Sequence, residues 1–93
     1  MDTYVFMLSP DGTELVNPAQ PGLEGRNLME VKDLTGKAAV REEIAAALRD
    51  GRAWIDTFWY KPGTNTPARK QAYVRRVQSG TETYVVGSGL YVD

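Results

Sequence analysis

Hydrophobic positions along this chain fall into five short extended runs and one helical repeat. Thr3-Tyr4-Val5-Phe6-Met7-Leu8 is apolar, aromatic and branched, which is strand composition. Ser9-Pro10-Asp11-Gly12 then supplies a turn, since Pro fixes φ and Gly tolerates positive φ. Thr13-Glu14-Leu15-Val16-Asn17 is the partner strand of a hairpin. Residues 17–28 hold Pro18, Pro21, Gly22 and Gly25 and read as a loop too interrupted for regular structure. Its length of about a dozen residues is near the limit at which loops tend to be functional. Asn27-Leu28-Met29-Glu30-Val31 predicts a short helical turn. Residues 36–50 predict the one clear helix: Val40, Ile44, Ala47 and Leu48 fall at helical spacing, with Lys37, Arg41, Glu42 and Arg49 on other faces. Thr35 is its expected N-cap and Gly51 its C-terminal glycine. Three strands follow, at 52–60, 68–77 and 83–92, separated by turns at 62–67 and 78–82.

The order β-β-(loop, helix)-β-β-β, with short turns between neighbours, predicts an antiparallel sheet with a helix on one face, an α+β layer. In the last strand Gly87 and Gly89 are two apart and face the same side. Their missing side chains leave room there for a ligand, a helix or another backbone. Several strands are apolar on both faces: Tyr4, Phe6 and Leu8 oppose Val5 and Met7, and Trp54 and Phe58 oppose Ile55 and Trp59. One helix cannot cover both faces of five strands. A second covering element outside the chain, or a second copy, is expected.

At 93 residues, the chain is a single domain, 1–93. It is 42% hydrophobic and 25% charged, an ordinary globular balance. A net charge of -1 gives no long-range attraction to nucleic acid or an anionic membrane. With no Cys and no His there are no disulfides, no thiol chemistry, no zinc site of the usual kind and no histidine base. No cofactor and no metal site is expected. No apolar run approaches the roughly 18–20 residues of a membrane span. The first ten residues carry Asp2 and no positive segment, so they do not read as a signal peptide. The abrupt lead from Met1-Asp2-Thr3 into a strand suits a piece of a longer protein as well as a native start.

Catalysis finds little support. Ser88 lies between two glycines, yet Gly87-Ser88-Gly89 is not a nucleophile elbow and no His is present to activate it. Glu42 and Glu43 are adjacent on a helix, point in different directions and read as solvated surface. Asp56 lies mid-strand among large apolar residues, either as an exposed edge charge or as a polar group in a pocket. Asp11-Gly12 lacks the further ligands of a calcium loop and reads as a turn. Alternation sends Lys70 and Arg76 to one face and Arg69 and Arg75 to the other, which makes no continuous basic stripe for nucleic acid. The best constellation is Trp59, Lys70 and Tyr73 with Trp54, Phe58 and Tyr60, near cross-strand neighbours if 52–60 and 68–77 form a hairpin. A cation among aromatic walls is a usual way to hold a small carboxylate. Composition alone favours the plainer alternative, in which the aromatics are core and Lys70 reaches to solvent.

At these residues the chain resembles a single Cache domain, the PAS-like extracytoplasmic sensor of bacterial receptors. The resemblance runs through Tyr4-Val5-Phe6, Pro10-Asp11-Gly12, Asn17-Pro18, residues 23–28, Lys32-Asp33, Gly36-Lys37, Gly51…Trp54…Trp59, Lys70…Tyr73-Val74 and residues 85–92. It implies a PAS/profilin-like five-stranded antiparallel sheet with one main helix and a ligand pocket on one face. It also implies a long N-terminal helix on the other face, normally continuing from a membrane span, which this chain does not contain. Such domains commonly bind short organic acids such as acetate, propionate or pyruvate and signal to chemotaxis, kinase or cyclase modules. The resemblance therefore implies a non-catalytic sensor, periplasmic in its parent protein, with membrane contact only through segments outside this chain. The expected binding residues are Lys70, to neutralise a carboxylate, Tyr73 and Trp59 to shape the site, Phe58 and Trp54 beside them, and Arg26 on the loop as a second cation. A homodimer is expected. Thr57 stands where the family often has a tyrosine, and Ala72 where it often has a serine; both are expected to enlarge or depolarise the pocket. The alternative is a structural or dimerisation module that uses an exposed sheet face and takes no ligand.

Overall fold

The structure, a computed structural model, describes residues 3–61 and 63–92. Its order is β1 (Thr3–Leu8), β2 (Glu14–Val16), a 3-10 turn (Pro21–Leu23), α1 (Ala39–Asp50), β3 (Arg52–Tyr60), β4 (Pro67–Ser79) and β5 (Glu82–Val92). The five strands form one antiparallel sheet in the order β2-β1-β5-β4-β3. The predicted α+β, PAS-like arrangement is therefore present, with the first hairpin docked beside the last strand through Phe6 opposite Gly87 and Tyr4 opposite Gly89.

The hairpin turn closes as its chemistry dictates. The Asp11 carboxylate accepts from the Ser9 hydroxyl and from the Thr13 N–H. Gly12 takes the positive φ of 97° that a side chain would resist. Beyond β2 the chain is more ordered than its prolines and glycines suggest. Glu14 N–H donates to the Arg26 carbonyl at 2.9 Å and Gly25 N–H to the Glu14 carbonyl at 2.7 Å. The returning arm of the loop is thus zipped along β2, which fixes Arg26 and Leu28 beside the sheet. Residues 27–31 make a single turn through Val31 N–H and the Leu28 carbonyl, not a helix.

The helix begins at Ala39, three residues later than the apolar spacing indicates, and Thr35 is not its cap. The reason is Asp33. Its buried carboxylate accepts from the Thr35 N–H (2.8 Å), the Thr35 hydroxyl (2.6 Å), the Lys37 N–H (3.0 Å) and, across to β3, the Phe58 N–H (2.9 Å). Those bonds hold residues 33–37 in a turn that competes with helix and staple the start of α1 to the sheet. At the other end Gly51 is left-handed (φ 83°) and returns its N–H to Ala47, as a C-terminal glycine should.

The core lies between α1 and one sheet face: Phe6, Leu8, Val40, Ile44, Ala47, Ala72, Val74 and Val85 are buried there. Leu48, grouped with that face by spacing, is exposed. The other face is open. Trp54, 69% exposed, Phe58, Val5 and Val77 all lie on it, as expected of strands apolar on both sides. No helix among the described residues is long and apolar enough to cross a membrane.

Candidate functional site

Between the sheet, the 17–31 loop and the N-terminal half of α1 lies a cavity of about 320 Å³. The sheet supplies Tyr4, Phe6, Lys70, Tyr91 and Trp59 to its wall, the loop Arg26 and Leu28, the helix Val40 and Glu43, and β2 contributes Glu14. It is an apolar space with a few convergent polar groups, the usual make-up of a small-molecule site.

Lys70 is at its centre. It sits on β4, opposite Thr57 of β3 and Tyr91 of β5, and only 9% of it is exposed. Gly89 explains its course. A methyl group there would collide with the Lys70 stem and lie 3.3 Å from both its ammonium and the Tyr4 hydroxyl. Because Gly89 has no side chain, the stem crosses β5 and delivers Nζ to the aromatic residues of β1. Nζ stands 5.0 Å from the Tyr4 ring centroid and 5.1 Å from that of Phe6, within cation–π range. Gly87 plays the same part for Phe6, whose ring occupies the space a side chain would need. The room predicted above the two glycines is therefore filled by neighbours that line the cavity.

Among the described residues no carboxylate lies at ion-pair distance from Lys70. Ring faces favour its charge but leave its N–H donors unspent. Two carboxyls share the space at longer range. Glu43 of α1 and Glu14 of β2 are each 4% exposed, and Glu14 Oε1 is buried with no hydrogen-bond partner. Burial pushes the Glu43 carboxyl up to about 7; the Lys70 charge opposes this, while Glu14 adds to it. Burial also pushes Glu14 up to about 7, against Asn17 and Lys70 and with Glu24. Burial lifts the Tyr4 phenol to about 12, the neighbouring Tyr91 hydroxyl partly offsetting it.

The structure divides the cluster expected around Lys70. Lys70, Trp59 and Arg26 line the cavity, as does Tyr60. Tyr73, Trp54 and Phe58 do not: strand alternation turns them to the open face, where the Trp54 and Tyr73 rings lie 5.0 Å apart. Cross-strand proximity had grouped residues that belong to opposite faces. Thr57 and Ala72 are buried but lie outside the cavity lining, so the expected effect on its size or polarity does not arise from direct contact. Asp56 is exposed on the edge strand. Glu43 reverses the sequence reading of a solvated pair; only Glu42 is on the surface. Its signal was present: Val40, Glu43, Ile44 and Ala47 follow i, i+3, i+4, i+7, which puts the acid on the apolar stripe. Glu14 gave no such signal, because the strand buries it and exposes the apolar Leu15 and Val16. No group of metal-ligating side chains is present among the described residues.

A family profile described as Cache domain matches residues 1–93. The chemotaxis protein McpP of Pseudomonas putida is 28% identical over 92 residues, covering 99% of this chain and 16% of that protein. The sensor histidine kinase MctS of Rhizobium johnstonii is 34% identical over 92 residues, covering 99% of this chain and 19% of that protein. Among solved structures, one described as a periplasmic sensor domain of a chemotaxis protein superposes with a TM-score of 0.87 at 32% identity, covering 99% of this chain and 62% of that one. Another, described as showing carboxylic acid recognition by a Cache chemosensory domain, gives 0.89 at 30% identity, over 100% of this chain and 62% of that one. The chain spans less than a fifth of the curated relatives it matches. These likenesses run end to end and agree with the sheet and helix described above: the chain belongs to the Cache domain family.

Proposed function

We propose that this domain is the small-molecule sensing module of a bacterial signal-transduction protein and that its cavity holds a short organic acid. The observation that carries the reading is Lys70: a buried ammonium, flanked by two aromatic rings, facing a cavity with no carboxylate at ion-pair distance among the described residues. A ligand carboxylate would supply the missing charge-assisted partner. Trp59 and Phe6 would exclude water from its tail, and Arg26, exposed at the loop, would be a second cation at the mouth. Tyr73, Phe58 and Trp54 have no part in this site. The function is binding, not catalysis, and it needs neither cofactor nor metal.

Three observations on similar proteins support the rest. One neighbour is described as recognising carboxylic acids, and another as periplasmic, which favours an extracytoplasmic position in the parent protein. The relatives include a chemotaxis protein and a histidine kinase, two kinds of output that such a domain would control. The open sheet face around Trp54 is where the resemblance puts a preceding helix, so membrane contact would come through segments outside this chain. Homodimerisation is part of the proposal.

A thermal-shift screen against acetate, propionate, pyruvate and amino acids, at fixed pH and protein concentration, tests the reading. A rise of several degrees with one short acid is expected, because a ligand that binds only the native state stabilises it by mass action. A flat screen would favour the second reading, a dimerisation module without ligand, for which the exposed Trp54 and Phe58 are the supporting observation.

A further inference from the structure

Three ionisable side chains reach one cavity from three elements: Glu14 from β2, Glu43 from α1 and Lys70 from β4. All three are at least nine-tenths buried. Other groups close on them from each side. Tyr4 of β1, Tyr91 of β5 and Tyr60 of β3 bring phenols. Glu24, on the loop, acts on Glu14, but its carboxylate already accepts the Asn17 N–H at 2.8 Å. Lys37, before the helix, acts on Glu43, but its ammonium is engaged by the Asp56 carbonyl at 2.8 Å and by Glu42 at 3.8 Å. Arg26 is exposed at the mouth. Among the buried groups of the cavity one cation therefore answers two carboxyls.

That count conflicts with the entry of an anion. With both glutamates ionised the interior is net negative before a carboxylate arrives, and like charges at low dielectric repel strongly. Glu14 Oε1, buried with no hydrogen-bond partner, is an acceptor that a proton would turn into a donor. We propose that the cavity takes up a monocarboxylate together with a proton, held by the Glu14–Glu43 pair, so that the domain responds more strongly in acid than in alkaline medium. The inference rests on reading the cavity as a carboxylate site and adds the proton that offsets the charge the ligand brings. Both carboxyls are already raised to about 7 by burial, and an added negative charge raises them further.

The sign follows from linkage. A pair that binds more protons with ligand than without makes affinity fall as pH rises above the range in which the free pair titrates, near 7. With one proton taken up, the fall approaches about tenfold per pH unit. Below that range the pair is already protonated and the dependence flattens.

Isothermal titration of the chain with acetate, propionate and pyruvate, from about pH 6 to about pH 8.5, in phosphate and in Tris, measures both the affinity and the protons exchanged. The expected result is weakening toward alkaline pH and a binding heat that differs between buffers by close to one proton at the alkaline end. Glu43→Gln and Glu14→Gln should each retain binding with a smaller proton uptake, and the double variant should bind with no pH dependence. Equal affinity across the range with no difference between buffers would overturn the proton-coupled account while leaving the carboxylate site intact. No binding of any acid at any pH would overturn both. The wild-type buffer comparison decides the question even if a variant does not fold.

Discussion

The position of one ammonium group depends on a missing methyl. Lys70 reaches Tyr4 and Phe6 because Gly89 leaves its path over β5 clear. Gly89→Ala should therefore fold, its backbone being ordinary extended strand, but should displace the Lys70 stem and weaken acid binding by about tenfold or more. Titration calorimetry on the variant checks this, and unchanged affinity would mean that Lys70 is not held as described. The Gly87-x-Gly89 spacing was legible as a gap on one sheet face. What fills the gap was not, because β1 pairs with β5 across most of the chain length and no local pattern announces that neighbour. Alternation did separate Trp54 and Phe58 from Trp59 in the sequence. Grouping them with Lys70 went against that separation, and the structure follows the alternation.

Among the elements, the helix is positioned by a residue outside it. Asp33 gathers donors from Thr35, Lys37 and Phe58, joining the turn before α1 to the edge strand β3. Burial by itself would raise its carboxyl. The Thr35 hydroxyl and the N–H groups of Phe58, Lys37 and Thr35 outweigh that and hold it below the usual range. Asp33→Ala strands these donors and should lower the unfolding free energy by about 2–3 kcal/mol, measured by urea denaturation; a loss within error of zero would refute the staple. Because α1 carries Glu43 and Val40 into the cavity, the same bonds also set the site's far wall. The helix and all five strands could be read from hydrophobic period and turn residues. The helix start could not, since a side chain bonding three residues onward and across to another strand leaves no periodic trace. Neither could the zipping of the 17–28 loop along β2, which uses backbone groups that every residue has.

For the whole molecule, the architecture was legible and the site only in part. The number of strands, a single helix and an uncovered second face all follow from patterns that span the chain; the docking of β1 beside β5 does not. The cavity does not, because it forms where a loop, a helix end and two non-adjacent strands meet. Lys70, Trp59 and Arg26 were named from sequence and line it; Glu14, Glu43, Tyr4 and Tyr91 were not named. The two faces now have separate characters. One holds a buried cation and two acids beneath α1 and the loop, and the other offers Trp54 and its neighbours to whatever covers them.

The central claim is that Lys70 is the anchor for a small acid. Its most direct test is calorimetric titration of the best-binding acid into the wild-type domain and into Lys70→Met, which keeps most of the stem and removes the charge. The account predicts cooperative melting in both and, in the variant, affinity weakened by at least about thirtyfold, the effect of losing about 2 kcal/mol from a buried charge contact. A folded Lys70→Met domain that bound the acid as tightly as wild type would contradict it.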